Sequence, residues 1–162
     1  MKKDEKTNVM RILDQKKVAY TPHGYEVAEG APCDAVTVAG LIGKDVSTVY
    51  KTLVLKAGKG NFYVFVVPGA ARLDYKKAAK AVGEKSVAMV LSADLLGLTG
   101  YIHGGCSPIV MKKQFPTVFH EAVLGLSTVT VSAGKIGRQV EMVPTDLISL
   151  IGAKTADLIV EE

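Results

Sequence analysis

The apolar positions along the chain change period several times, and each change predicts an element. Val9, Ile12 and Leu13 recur at helical spacing inside Thr7–Lys17, with Thr7 placed to cap the start. Val18–Val27 reads as extended, interrupted by Pro22 and Gly24. Asp34–Ile42 reads as a second helix, capped by Asp34 and closed near Gly43. Two β-rich runs, Val46–Lys56 and Asn61–Pro68, flank Ala57-Gly58-Lys59-Gly60, which is a hairpin signal. Asp74–Val82 reads as a helix between its cap, Asp74, and its stop, Gly83. Lys85–Met89 is a short strand, and Ser92–Leu96 a short helix capped by Ser92. Extended runs follow at Ile109–Met111, Thr117–Phe119, Thr128–Val131 and Val140–Val143. Pro144 then opens a last helix, Thr145–Ile151.

Strands are numerous, and helices do not alternate with them one for one as in a doubly wound sheet. The expected fold class is α+β (α/β mixed): a mixed β-sheet, curled toward a barrel, with flanking helices. No repeat, low-complexity tract or long linker divides the 162 residues, so a single domain over 1–162 is expected.

Composition narrows the function classes. Hydrophobic residues are 48% and charged residues 22%, a globular balance rather than a disordered one. No apolar run approaches the roughly 18 residues of a membrane helix, and no apolar stretch follows the charged N-terminus, so no membrane association and a cytoplasmic location are expected. Cys33 and Cys106 have no CxxC partner, and His23, His103 and His120 show no HExxH spacing, so neither a disulfide framework nor a metal site is expected. The net charge of +4 is compatible with a phosphate-bearing partner without requiring one. Trp is absent and aromatics are 6%, which argues against a broad base-stacking platform.

Three segments carry candidate chemistry. In Val49-Tyr50-Lys51-Thr52-Leu53-Val54-Leu55, strand alternation puts Lys51 on a face with Val49, Leu53 and Leu55. A lysine there either snorkels to water or stands at a pocket mouth, offering its ammonium to an anionic or carbonyl-bearing ligand. Gly100-Tyr101-Ile102-His103-Gly104-Gly105-Cys106-Ser107-Pro108 is either a tight connection or a backbone cradle for substrate. Ser132-Ala133-Gly134-Lys135-Ile136-Gly137-Arg138 is a loop with two cations; it lacks P-loop spacing, and is either a solvated hairpin or a phosphate or ribose contact. No GxSxG elbow or paired carboxylate is evident, and Cys106 and Cys33 read as packed or loop-lining thiols before nucleophiles.

At these residues the chain resembles the YbaK/EbsC family, relatives of the editing insertion domain of bacterial prolyl-tRNA synthetase. The resemblance runs through His23-Gly24-Tyr25-Glu26, Val49-Tyr50-Lys51-Thr52-Leu53, Leu73-Asp74-Tyr75-Lys76-Lys77, Gly100-Tyr101, Gly104-Gly105-Cys106-Ser107-Pro108, Val131-Ser132-Ala133-Gly134-Lys135 and Val140-Glu141. It implies removal of a mischarged amino acid from tRNA in trans, typically cysteine from tRNA(Pro). It further implies attack of the substrate's own thiol on its ester, with no cofactor. The implied partners are the acceptor end of aminoacyl-tRNA and prolyl-tRNA synthetase. By motif, Lys51 is the essential lysine, Tyr25 shapes the amino-acid site, and the main chain of Gly104 and Gly105 approaches the substrate. Thr52, Ser107 and Lys135 are further lining candidates. The chain departs from the family pattern at Cys106, where an aliphatic residue is expected. It also carries its arginine at Arg138 rather than directly after Lys135, and Glu29–Cys33 lacks an aromatic. A water-using Ala-tRNA(Pro) deacylase, or an inactive module that binds tRNA or a synthetase, are the alternatives.

Overall fold

Tyr50–Ala57 (β2) and Phe62–Pro68 (β3) form the centre of the computed structural model, which describes residues 6–26 and 34–161. Both strands alternate two apolar sets. Tyr50, Val54, Val64 and Val66 face one core cluster, and Leu55, Ala57, Phe65 and Val67 face another. A sheet buried on both faces reads as near-continuous β-branched and aromatic residues, as Phe62–Val67 does.

The sheet order is β4-β2-β3-β5-β8, with β4 at Val87–Met89, β5 at Thr117–His120 and β8 at Lys154–Ala156. β4 and β3 run antiparallel to β2, while β5 and β8 add in parallel. One face is covered by Tyr75–Ala81 (α3) through Ala78 and Ala79. The other meets Asn8–Gln15 (α1), Pro144–Ile151 (α5) and a second sheet of order β1-β7-β6, made of Thr21–Gly24, Arg138–Met142 and Val129–Lys135. Ala35–Ile42 (α2) and Ser92–Thr99 (α4) complete the helices among the described residues.

Capping follows the sequence closely. The Thr7 hydroxyl accepts from Met10 N at 3.3 Å, Asp34 from Thr37 N at 3.1 Å, and Asp74 from Lys76 and Lys77 N at 3.0 and 3.1 Å. Gly43 closes α2 at φ 70°.

Several expectations are corrected. The sheets do not curl into a barrel: among the described residues they meet through one parallel bridge, Val49 to Thr130, and β4 and β8 remain as open edges. Of Val18–Val27 only Thr21–Gly24 is strand, paired with β7, and Val27 lies outside the described residues. Val46–Thr48 is a 3-10 turn around the Asp45 cap, so β2 begins at Tyr50. Ser92 is the first residue of α4 rather than its cap, and the helix runs on to Thr99. Ile109–Met111 is no strand; Val110 sits at φ 57° in a turn. Ser132–Arg138 takes the hairpin form that was one of its two readings, and strands extend through it to leave only Ile136 and Gly137 between them.

Candidate active site

β4 pairs with β2 only over Leu55–Ala57, so Lys51–Leu53 have no strand partner on that edge among the described residues. A cleft of about 780 Å³ wraps this free edge, a size suited to a small ligand or the end of a larger one. Its walls come from α2, from the β4–α4 corner at Met89, Val90, Ser92 and Leu95, from His103, Gly104 and Cys106, and from Ser132 and Gln139. Close packing places α2: a Cβ on Gly69 would lie 1.9 Å from Ala35 Cβ, so only glycine admits the helix there.

Lys51 projects from β2 into this cleft. Its ammonium donates to the Ala71 carbonyl at 2.7 Å, its only polar partner among the described residues. That leaves two of its three N–H donors for a ligand. Burial without a carboxylate pushes its pKa below the ordinary lysine value. The neighbouring Thr52 hydroxyl is buried at the cleft wall without a hydrogen-bond partner among the described residues.

The facing wall is the polar side of β6–β7. Thr130, Ser132, Gln139 and Glu141 share one face of the hairpin, and Val131, Ala133, Val140 and Met142 share the other, which packs into the core. Gln139 is only 6% exposed, lines the cleft, and makes no side-chain hydrogen bond to a described residue. Ser132 Oγ accepts from Gly134 N at 3.1 Å. Further along this face, Glu141 is held by His23 Nε2 at 2.8 Å, Lys44 Nζ at 2.9 Å and the Thr128 hydroxyl at 2.5 Å. The Thr128 bond, followed by those of His23 and Lys44, pulls the Glu141 carboxyl down to about 2.

The cleft has no activated protein nucleophile among its described residues. Burial pushes the Cys106 thiol up to about 11, so it is protonated at neutral pH. Asp34 spends its carboxylate on the amide and hydroxyl of Thr37, which lowers its pKa and makes it a weak base. Cys33 lies outside the described residues.

The sequence-predicted site residues divide. Lys51, Thr52 and Gly104 line the cleft. Gly105 is buried against the hairpin turn, where an added Cβ would lie 3.1 Å from Ile136 N. Ser107 is fully buried, and its Oγ accepts from Ile109 N at 3.2 Å. Tyr25 is not among the lining residues; its amide donates to the Gly137 carbonyl at 3.1 Å, and its hydroxyl is buried without a partner among the described residues. Lys135 is exposed and lines a separate groove. Sequence reasoning missed Gln139, Ser132 as a wall residue, and Gly69. Only the polar-apolar alternation across Thr130–Ala133 and Gln139–Met142 hinted at the first two.

Among the described residues, no helix is long and apolar enough to cross a membrane, and no cluster of His, Cys, Asp and Glu is arranged to hold a metal. The sequence pattern of the family described as "Aminoacyl-tRNA editing domain" matches residues 33–150. An Enterococcus faecalis protein named "Putative Cys-tRNA(Pro)/Cys-tRNA(Cys) deacylase EbsC" is 43% identical over 161 residues, covering 99% of this chain and 98% of that one. The solved structure of "a putative trans-editing enzyme for prolyl tRNA synthetase" superposes with a TM-score of 0.80 at 26% identity, covering 97% of this chain and 100% of the other. The "hypothetical protein APE2540" shares the fold, with a TM-score of 0.85 at 23% identity over 95% of this chain and 100% of its own. The chain belongs to the aminoacyl-tRNA editing domain family, whose substrate class is aminoacyl-tRNA.

Proposed function

We propose that this chain is a trans-editing deacylase that removes cysteine from mischarged tRNA(Pro), with the cysteine thiol attacking its own ester. One observation carries the mechanism: the cleft presents an unpaired lysine with spare donors beside no activated nucleophile among the described residues. The substrate thiol supplies what the cleft lacks. Its sulfur forms a bond to the ester carbonyl carbon, the bond from that carbon to the ribose oxygen breaks, and the thiol proton ends on the ribose hydroxyl. The products are a cyclic thiolactone and free tRNA. An intramolecular attack depends on orientation more than on a strong base.

In this reading the Lys51 ammonium binds the ester oxygen and stabilises the negative charge it gains. Thr52, Gln139 and the main chain at Gly104 orient the aminoacyl end. Gly105, Ser107 and Tyr25 act through the shape of the loop and hairpin that carry the wall. The relative's name supports cysteine as the amino acid, and the trans-editing neighbour supports prolyl-tRNA synthetase as a partner. A cytoplasmic location accords with that substrate.

The test is amino-acid release from Cys-tRNA(Pro), Cys-tRNA(Cys), Ala-tRNA(Pro) and Pro-tRNA(Pro). Release of cysteine from tRNA(Pro), with alanine and proline retained, is expected. Equal release from tRNA(Cys) places selection in the amino acid rather than the tRNA. Release of alanine sinks the thiol mechanism, since alanine has no internal nucleophile. No release from any of the four sinks the enzyme reading.

A further inference from the structure

A second cavity, of about 510 Å³, lies on the other face of the β6–β7 hairpin from the cleft. Strand alternation separates the two: Ser132 and Gln139 face the cleft, while their neighbours Ala133 and Arg138 line the second cavity. The segment after α4 divides them in the same way, with Gly100 and Tyr101 on the groove and Gly104 and Cys106 on the cleft.

The groove is lined by five cations, Lys6, Arg11, Lys112, Lys135 and Arg138, and by no carboxylate among the described residues. The whole chain carries 20 cations against 16 acids, so such segregation builds a local positive field that the net charge of +4 does not reveal. Lys6 is held at 2.6 Å by Asp14, which lies outside the lining. Among the described residues, the Arg11 side chain bonds only to Asn8 Oδ1, at 3.3 Å, and the exposed Lys112 ammonium meets no partner.

The groove wall is held in place. The Tyr101 hydroxyl lies 2.5 Å from the Ile109 carbonyl oxygen and 3.0 Å from that of Val110. Val110 is kept at φ 57°, a conformation that β-branched residues rarely adopt. Across the groove, Gly134 has φ 92°, and an added Cβ would lie 2.7 Å from the Tyr101 ring, so nothing but glycine admits the ring there.

We propose that this groove binds the sugar–phosphate backbone of the tRNA whose 3′ end enters the cleft, with Arg11 and Lys112 meeting phosphates. The identity of the ligand rests on the deacylase reading. The backbone rounds the hairpin tip, and the cations come from α1 and the residues just before it, the segment before β5 and the hairpin itself, so the contacts spread along a chain of phosphates.

The experiment measures binding of labelled uncharged tRNA by fluorescence anisotropy across a salt series. It compares wild type with the double variants Arg11→Glu/Lys112→Glu and Arg11→Gln/Lys112→Gln, with circular dichroism as a check on folding. Charge reversal is expected to weaken binding about tenfold or more at low salt, and to flatten the slope of log K against log salt by about 1.5, because each lost phosphate contact removes roughly 0.7–0.9. The neutral pair is expected to fall between the two. Unchanged affinity and slope, or no tRNA binding by wild type, overturns the proposal. Displacement of tRNA by inorganic phosphate at constant ionic strength also overturns it, in favour of a small-anion site. Deacylation of Cys-tRNA(Pro) is followed in the same samples. Its absence in wild type defeats the deacylase reading alone, and the binding contrast still decides the groove.

Discussion

Glu141 and Lys51 are both charged groups largely withdrawn from water, and both stand in stretches through which the family resemblance runs. They differ in how their polar needs are met. Glu141 accepts from His23, Lys44 and Thr128, so its charge is satisfied from within and ties β1, β7 and the segment that follows α2 together. Among the described residues Lys51 has one carbonyl, and beside the same cleft the Thr52 hydroxyl has no partner and the Gln139 side chain no hydrogen bond. A saturated buried cluster supports the fold, whereas groups left unmet at a cavity are held ready for something outside the chain. Recurrence in a motif does not separate the two roles, but the hydrogen-bond account does.

The sharpest break in this contrast is Lys51→Ala. The deacylation rate is expected to fall by about a thousandfold or more, close to 4 kcal/mol at 1.36 kcal/mol per tenfold. The melting temperature should hardly move, because a desolvated cation with a single hydrogen bond adds little to stability. Deacylation of Cys-tRNA(Pro) and a thermal melt on the same sample check both halves. Joint loss of activity and melting temperature would place Lys51 beside Glu141 as structural.

Glu141→Gln should show the reverse. A carboxyl near 2 in the fold, against 4.5 unperturbed, contributes about 3 kcal/mol of stability at neutral pH. The folded pKa is the lower one, so this stability is present above about 4.5 and is lost as pH falls toward about 2. Urea titrations of wild type and variant should therefore differ most at neutral pH and converge in acid. A pH-independent difference would mean that the lost shape, rather than the charge, matters.

The same contrast explains what the sequence revealed. Thr7, Asp34 and Asp74 were legible as caps because a cap is a local bond, made within a few residues. Lys51 was legible because one charge among Val49, Leu53 and Leu55 breaks a local pattern. Ile109–Met111 misled because three consecutive apolar residues resemble a strand, while the Tyr101 hydroxyl that fastens the Ile109 and Val110 carbonyls sits eight or nine residues away. Lys154–Ala156 was invisible: it is a short edge strand whose order comes from pairing with β5. Gly69 belongs to the cleft only because distant elements converge, and Gln139 shows in the sequence only as one polar position of an alternating strand, which does not say what it faces.

Thr52→Val tests an unmet group of smaller weight. The change removes a buried hydroxyl that has no described partner, so stability should hold or rise by up to about 1 kcal/mol. If the hydroxyl orients the aminoacyl end, turnover should drop by about tenfold, near 1.4 kcal/mol. Deacylation kinetics beside a urea titration separate the two effects. Unchanged turnover would remove Thr52 from the substrate side of the contrast.

The smallest effect is expected at Cys106, which lines the cleft and has the element type of a nucleophile but not the environment. Its thiol stands at about 11 because burial disfavours the thiolate, leaving almost none of the reactive form at neutral pH. Cys106→Ala should therefore keep turnover within about twofold, while the lost packing lowers stability by about 1 kcal/mol. In wild type, iodoacetamide should modify the Cys106 peptide far more slowly at pH 7 than it modifies a free thiol, and mass spectrometry reads that rate directly. Rapid alkylation, or abolished turnover in a well-folded Cys106→Ala protein, would give the cleft a nucleophile of its own. The substrate thiol would then no longer be needed for the attack, and alanine, which has no thiol, would become a chemically competent substrate.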